Sequence, residues 1–190
     1  DDVFVRSDNS VAASALSADA TGWERIGGNW KTTGTVHKTA FTTENAPAAK
    51  VVTGDTNWQD YTLRANVSNW SKGEVGIVAR YLDESNHYLW IAKPDGSQQL
   101  LRVNNGVRTA LVTARAPMRL QPNHELFFRT DGHLLTAGMD SMPVLEAWDE
   151  CIETGRTGLY AATAGQAQFG AVSVSLKQPE EPVLTTNMVF

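Results

Sequence analysis

The sequence predicts an all-β fold made of two packed antiparallel sheets. Three observations carry this. Apolar residues recur with a period of two rather than 3.6, the signature of strands with a buried face. Turn-forming clusters break the chain into about a dozen short runs, more than one sheet comfortably holds. No run shows helical period over the length a stable helix needs, and the 17 valines and 19 threonines favour strands.

In chain order, Ser7 to Gly22 is rich in Ala, Ser and Asp without period and reads as an irregular approach to the domain. Ala12 to Asp19 and Ala46 to Lys50 hold at most a turn of helix each. Tyr61, Leu63, Ala65 and Val67 alternate with Thr62, Arg64, Asn66 and Ser68, as a strand with one buried face does. Val75 to Leu82 is apolar on both faces except at Arg80, which marks a central strand. His87 to Ala92, Gln98 to Val103 and Val107 to Thr113 follow. Between them lie Asp83-Glu84-Ser85-Asn86, Pro94-Asp95-Gly96 and Asn104-Asn105-Gly106, all turn chemistry. Asn105-Gly106 tolerates positive φ at both residues and specifies a tight hairpin. Strands are expected again at Glu125 to Thr130, His133 to Met139, Thr157 to Ala162 and Ala167 to Leu176. The proline-punctuated KQPEEP, Lys177 to Pro182, should stop the last strand near Leu176. Residues 1–176 are therefore read as one sandwich, and 177–190 as a linker and the start of a further segment.

Composition excludes several functions. The net charge of −5, from 16 basic and 21 acidic residues, disfavours a nucleic-acid partner. No apolar run reaches the length of a membrane-spanning helix. Cys151 is the single cysteine, so neither an internal disulfide nor a cysteine-based zinc cluster forms. The chain starts at Asp1 without a leader-like segment, as a mature or excised piece does.

Five phrases in order carry a resemblance: GWERIGGNWKTTG, NWQDYTLRANV, GEVGIVARYLDESNHYLWI, QQLLRVNNGV and TGRTGLYAATAGQAQFGAVSV. Together they resemble the concanavalin A-like (laminin G-like) jelly-roll domains attached to polysaccharide-degrading enzymes. The resemblance implies a jelly-roll sandwich that binds an oligo- or polysaccharide on its concave sheet. It also implies a secreted or extracellular setting and neighbouring domains in a longer chain. Many such domains hold a calcium ion through an aspartate in a phrase like F-D-D-V. Here the phrase reads Phe169-Gly170-Ala171-Val172, so the expected carboxylate is missing, although Asp2 lies near the other usual end of such a site. No cofactor is assigned.

Arg80 is the focal candidate. A guanidinium in an apolar strand must reach a solvated surface or pair with an acid, because burying it unpaired is costly. On a concave face it would fork onto a carboxylate or hydroxyls of a sugar. Arg64 and Arg102 lie on neighbouring segments, and His87, Tyr88 and Trp90 on the strand between. These six are the candidate ligand-binding residues, and three arginines on one face would suit an acidic sugar. The alternative is that each arginine makes a structural ion pair with Asp60, Asp83, Glu74 or Glu84. Trp23, Trp30 and Trp58 are expected in the core, Trp90 on either face, and Trp70 and Trp148 near loops.

Glycoside hydrolysis needs two suitably spaced carboxyl groups. Glu146, Asp149, Glu150 and Glu153 do not reproduce the E-x-D-x-x-E strand of laminarinase-type jelly rolls and read as a solvated loop. The Gln-x-His and the tyrosine-rich last strand of alginate-lyase-type jelly rolls are missing as well. His37, His87, His124 and His133 lack metal-ligand spacing. The expected function is a non-catalytic carbohydrate-binding or accessory module of a larger secreted polysaccharide-processing protein. A glycoside hydrolase or polysaccharide lyase domain, and a structural spacer or protein-interaction module, are the alternatives.

Overall fold

The computed structural model describes residues 4–7, 22–33, 40–44, 48–118, 121–140, 142–163 and 166–177. All the described secondary structure is β, arranged in two sheets. One sheet runs β13 (Leu145–Trp148), β12 (Leu134–Met139), β11 (Asn123–Asp131), β6 (Tyr61–Ser68), β15 (Gln166–Leu176), β4 (Ala40–Glu44) and β3 (Lys31–Thr33). The second runs β10 (Val107–Arg115), β9 (Ser97–Asn104), β8 (Asn86–Ala92), β7 (Glu74–Asp83), β14 (Arg156–Ala162), β5 (Ala49–Thr53) and β2 (Trp23–Ile26). These pairings are all antiparallel. A short strand, β1 (Phe4–Ser7), adds a parallel pair against Ser173–Leu176 of β15.

The alternation read in Tyr61 to Val67 is observed: Tyr61, Leu63, Ala65 and Val67 are buried and face the opposite sheet. Ile77 and Ala79 of β7, Trp90 of β8, Leu100 of β9 and Leu159 of β14 meet them across the sandwich. Asn105 and Gly106 turn the β9–β10 hairpin with φ of 49° and 78°. The last strand ends at Leu176, where the prolines that follow were expected to stop it.

Two expectations are corrected. Ala49 and Lys50 open strand β5 instead of completing a helical turn, because Ala49 and Val51 are needed inside. The acidic run is not a solvated loop throughout: Glu146 lies in β13, and the Asp149 carboxylate is buried in an ion pair with Arg102. The expected turn at Ala12 to Asp19, most of the 7–22 approach and residues 178–190 of the linker lie outside the described residues.

The second sheet has an unusual outer face. Val52, Val78, Leu89 and Leu101 point away from the main core, yet with Tyr81, Ile91 and Tyr160 they form a second buried apolar cluster. Strand register explains it. Val52, Gly158, Val78, Leu89 and Leu101 lie directly opposite one another in five adjacent strands and make one row across that face. Strands apolar on both faces are typical of a sheet covered on both sides.

Candidate functional site

Arg80 does not reach a ligand face. Its φ of 45° places it at a bulge, where β7 gains one residue relative to β14. Val78 and Tyr81, three residues apart, consequently both face outward, and Arg80 is thrown into the end of the sandwich at 1% exposure. There the guanidinium donates to the carbonyls of Ile152 (2.9 Å), Gln59 (3.3 Å) and Gly132. Asp60 lies 3.7 Å away and supplies the counter-charge. The Arg80 amide donates to the Tyr61 hydroxyl at 2.6 Å. The side chain is a clamp on three loops, in keeping with the structural ion-pair alternative.

The other five candidates do not assemble around it. Tyr88 and Trp90 point into the core, because β8 places its even-numbered residues inward. The Tyr88 hydroxyl donates to Asp149 (2.6 Å) and accepts from the Ile152 amide (3.1 Å). Arg102 pairs with the same carboxylate at 2.6 Å along the sandwich edge. Arg64 lies on the outer face of the other sheet, exposed and paired with Glu125 at 2.9 Å. Among the six, only His87 belongs to the outer face of the second sheet, where it packs against Tyr81 with ring centroids 5.5 Å apart.

That face is concave. Arg108 of β10 and Tyr160 of β14 line a single cleft, although β9, β8 and β7 separate their strands. In a flat sheet, four steps of about 4.8 Å would hold the strands about 19 Å apart, farther than an arginine and a tyrosine side chain reach together, yet the Arg108 and Tyr160 side chains interact directly. The sheet must therefore curl toward its outer side. The cleft is open, holds about 640 Å³, and is lined by Lys72, Glu74, Lys93, Asp95, Arg108 and Tyr160, with small residues between them.

Its charges are organised. Glu74 accepts from Lys93 at 3.1 Å and from the Tyr160 hydroxyl at 3.4 Å. Asp95 accepts from the Ser97 amide, which holds its carboxyl below the usual range, and pairs with Arg115 at 3.5 Å. Lys50 is the cross-strand neighbour of Tyr160 on the same face. Burial lowers the proton affinity of its amine; Glu84 opposes this and Arg108 adds to it. Burial also pushes His87 down to about 4, opposed by its bond to Asp83 and reinforced by Lys50 and Arg108. His87 is thus neutral at pH 7. Its Nδ1 lies 3.1 Å from the Asp83 carbonyl oxygen, which can only accept, so Nδ1 carries the hydrogen and Nε2 keeps a lone pair with no partner.

Sequence reasoning missed Lys50, Glu74, Lys93, Arg108 and Tyr160. One signal was available: Val75 and Ala92 are opposite in the β7–β8 hairpin, which sets Glu74 beside Lys93. Counting back from the turn does not find it. Asp83 faces Asn86 but Ala79 faces Tyr88, so β7 gains two residues on β8 around Arg80.

Gly170 and Ala171, where the resemblance led to an expected calcium-binding carboxylate, offer no ligating side chain. Among the described residues no three His, Cys, Asp or Glu side chains converge on a metal position. No helix there is long and apolar enough to cross a membrane.

No protein-family model matches the sequence, and no curated protein matches it either. Solved structures do. The carbohydrate-binding module CBM66 from Bacillus subtilis superposes with a TM-score of 0.66 at 18% identity, over 81% of this chain and 95% of that one. The VIP36 exoplasmic/lumenal domain, bound to Ca²⁺ and Man3GlcNAc, gives 0.57 at 12% identity, over 84% and 86%. The GH43 protein BlXynB from Bacillus licheniformis gives 0.54 at 11% identity, over 77% of this chain but 38% of that one. Likeness at such low identity speaks to architecture: the chain adopts a two-sheet jelly-roll sandwich.

Proposed function

We propose that this chain is a non-catalytic carbohydrate-binding module that takes an oligo- or polysaccharide in the cleft on its concave sheet. The observation that carries the reading is the cleft itself. It is an open trough on the outer face of the curled sheet, where Pro94 and Ala162 lie among hydrogen-bonding Glu74, Lys93, Asp95 and Arg108 and the otherwise buried Tyr160 reaches the wall. Saccharide recognition asks for this mixture, polar groups converging on hydroxyls beside an apolar surface. The carbohydrate-binding module CBM66 and the Man3GlcNAc-bound VIP36 domain share the architecture and support the reading.

Binding is favoured over hydrolysis by the state of the carboxylates in the cleft. A glycosidase acid must keep its proton near neutrality, which requires a raised pKa. Asp95 is held in the opposite direction, and Glu74 is occupied by Lys93 and Tyr160. A place as an accessory unit of a larger secreted polysaccharide-processing protein fits the GH43 neighbour, in which the matched region is a minor part of the chain.

The test is affinity electrophoresis of the chain through gels containing neutral and acidic polysaccharides, with wild type beside Ser71→Trp. Ser71 is an exposed residue lining the cleft, and an indole there fills the trough without removing a charged group. Selective retardation by a glycan, lost in Ser71→Trp and without release of reducing ends or unsaturated products, is expected. Retardation that survives the plug, or none by any glycan, would overturn the reading.

A further inference from the structure

We propose that the saccharide held on the concave face carries an anionic substituent, a carboxylate or a sulfate ester, and that Lys50 and Arg108 seat it. The inference rests on the saccharide-binding reading above and adds the class of ligand.

The charge arrangement on this face motivates it. Lys93 and Glu74 neutralise each other, and Asp95 is matched by Arg115. Lys50 and Arg108 are left over: among the described residues no carboxylate lies within ion-pair distance of either. Lys50 is only 6% exposed, and the burial of its stem lowers the proton affinity of its amine; Glu84 offsets this only from beyond ion-pair distance, and a bound anion would offset it further. Arg108 enters from the opposite side, with its side chain at the cleft and its strand at the far edge of the sheet. The register makes them converge. Lys50 stands directly across from Tyr160, and Tyr160 and Arg108 share the cleft wall.

The electrostatics agree with this placement. Arg108 lowers the proton affinity of both Lys50 and His87, so the three basic groups lie close enough to repel one another. Such convergence is not a by-product of a basic composition, since the chain carries a net charge of −5. A guanidinium fork and an ammonium complement the oxygens of a carboxylate or sulfate.

The experiment uses the whole chain and four gel polymers: polygalacturonate, its fully methyl-esterified form, dextran sulfate and unmodified dextran. Each pair shares a backbone and differs in charge. We expect retardation by at least one acidic polymer and none by its uncharged counterpart. We also expect about tenfold weaker retention in Arg108→Gln and in Lys50→Met. The acidic polymer that retards names the anion. Lys50→Met removes the amine at nearly constant volume, and exposed Arg108→Gln leaves the core untouched, so thermal unfolding of both should stay near wild type. Equal retention of ester and acid, or unchanged retention in both variants, would overturn the inference. Plug-sensitive retention of neutral glycans alone would sink it while leaving the saccharide reading intact. No retention of any glycan would remove both.

Discussion

Replacing Arg80 with Met is the sharpest test of its assignment as a clamp. The substitution keeps a long apolar stem and deletes the guanidinium. The carbonyls of Ile152 and Gly132 lose the donor they receive in the structure, whereas Gln59 keeps a bond from the Thr130 hydroxyl at 2.7 Å. The buried Ile152 acceptor left unsatisfied costs about 1–3 kcal/mol, whereas exposed Gly132 turns its carbonyl to water. Asp60 retains the Gly132 amide at 2.8 Å and is 29% exposed, so it adds little. The expected loss is about 2–3 kcal/mol. For a domain of this size that lowers the melting temperature by about 5–10 °C. Urea denaturation followed by tryptophan fluorescence gives the free energy, and calorimetry gives the temperature. Glycan retention measured on the folded protein at low temperature should not change, because Arg80 lies outside the concave face. A loss below about 1 kcal/mol, or retention abolished at wild-type stability, would refute the clamp.

Three further outcomes are expected. His87 has a folded-state value of about 4 against an ordinary value near 6.5. The unfolded chain therefore binds the extra proton first, and stability falls as pH drops from about 6.5 toward 4, then levels off. Denaturation midpoints should show this slope, and His87→Gln should flatten it; an unchanged slope would reject a buried neutral imidazole. Gly155→Ala places a methyl carbon 2.4 Å from the Arg80 carbonyl carbon at a φ of 147°, so it should cost about 2–4 kcal/mol by urea titration. Tyr88→Phe strands the buried Ile152 amide, while Asp149 Oδ1 keeps the Cys151 amide, and should cost about 1–3 kcal/mol, with a wild-type midpoint arguing against the network.

The fold was legible because it rests on short-range rules that each segment obeys. The alternation in Tyr61 to Val67 and the Asn105-Gly106 turn need no knowledge of the rest of the chain. The site was not legible, and β7 and β8 show why. Residues on both of their faces are apolar, so alternation cannot say whether Trp90 or Leu89 points inward; the core takes Trp90 and the concave face takes Leu89. Arg80 then breaks the parity, since a non-glycine residue at positive φ leaves no mark in the sequence. Lys50 illustrates a tertiary override. Beside Ala46, Ala48 and Ala49 it looks helical, but pairing with Tyr160 draws it into a strand. Arg108 was hidden for a different reason. Its reach to β14 depends on the curl of a seven-stranded sheet, a property no local segment carries.

The Arg80 clamp grips main-chain oxygens, at Gln59, Gly132 and Ile152, rather than side chains. Every residue type offers the same carbonyl, so the three loops can exchange most of their side chains while the knot stays tied. Apart from Asp60, what must be inherited is one arginine and the loop lengths that present those oxygens. The end of the sandwich is thus a natural graft site. Loops of matched length and foreign sequence should be accepted there, and selection for a new surface can proceed without renegotiating the scaffold beneath it.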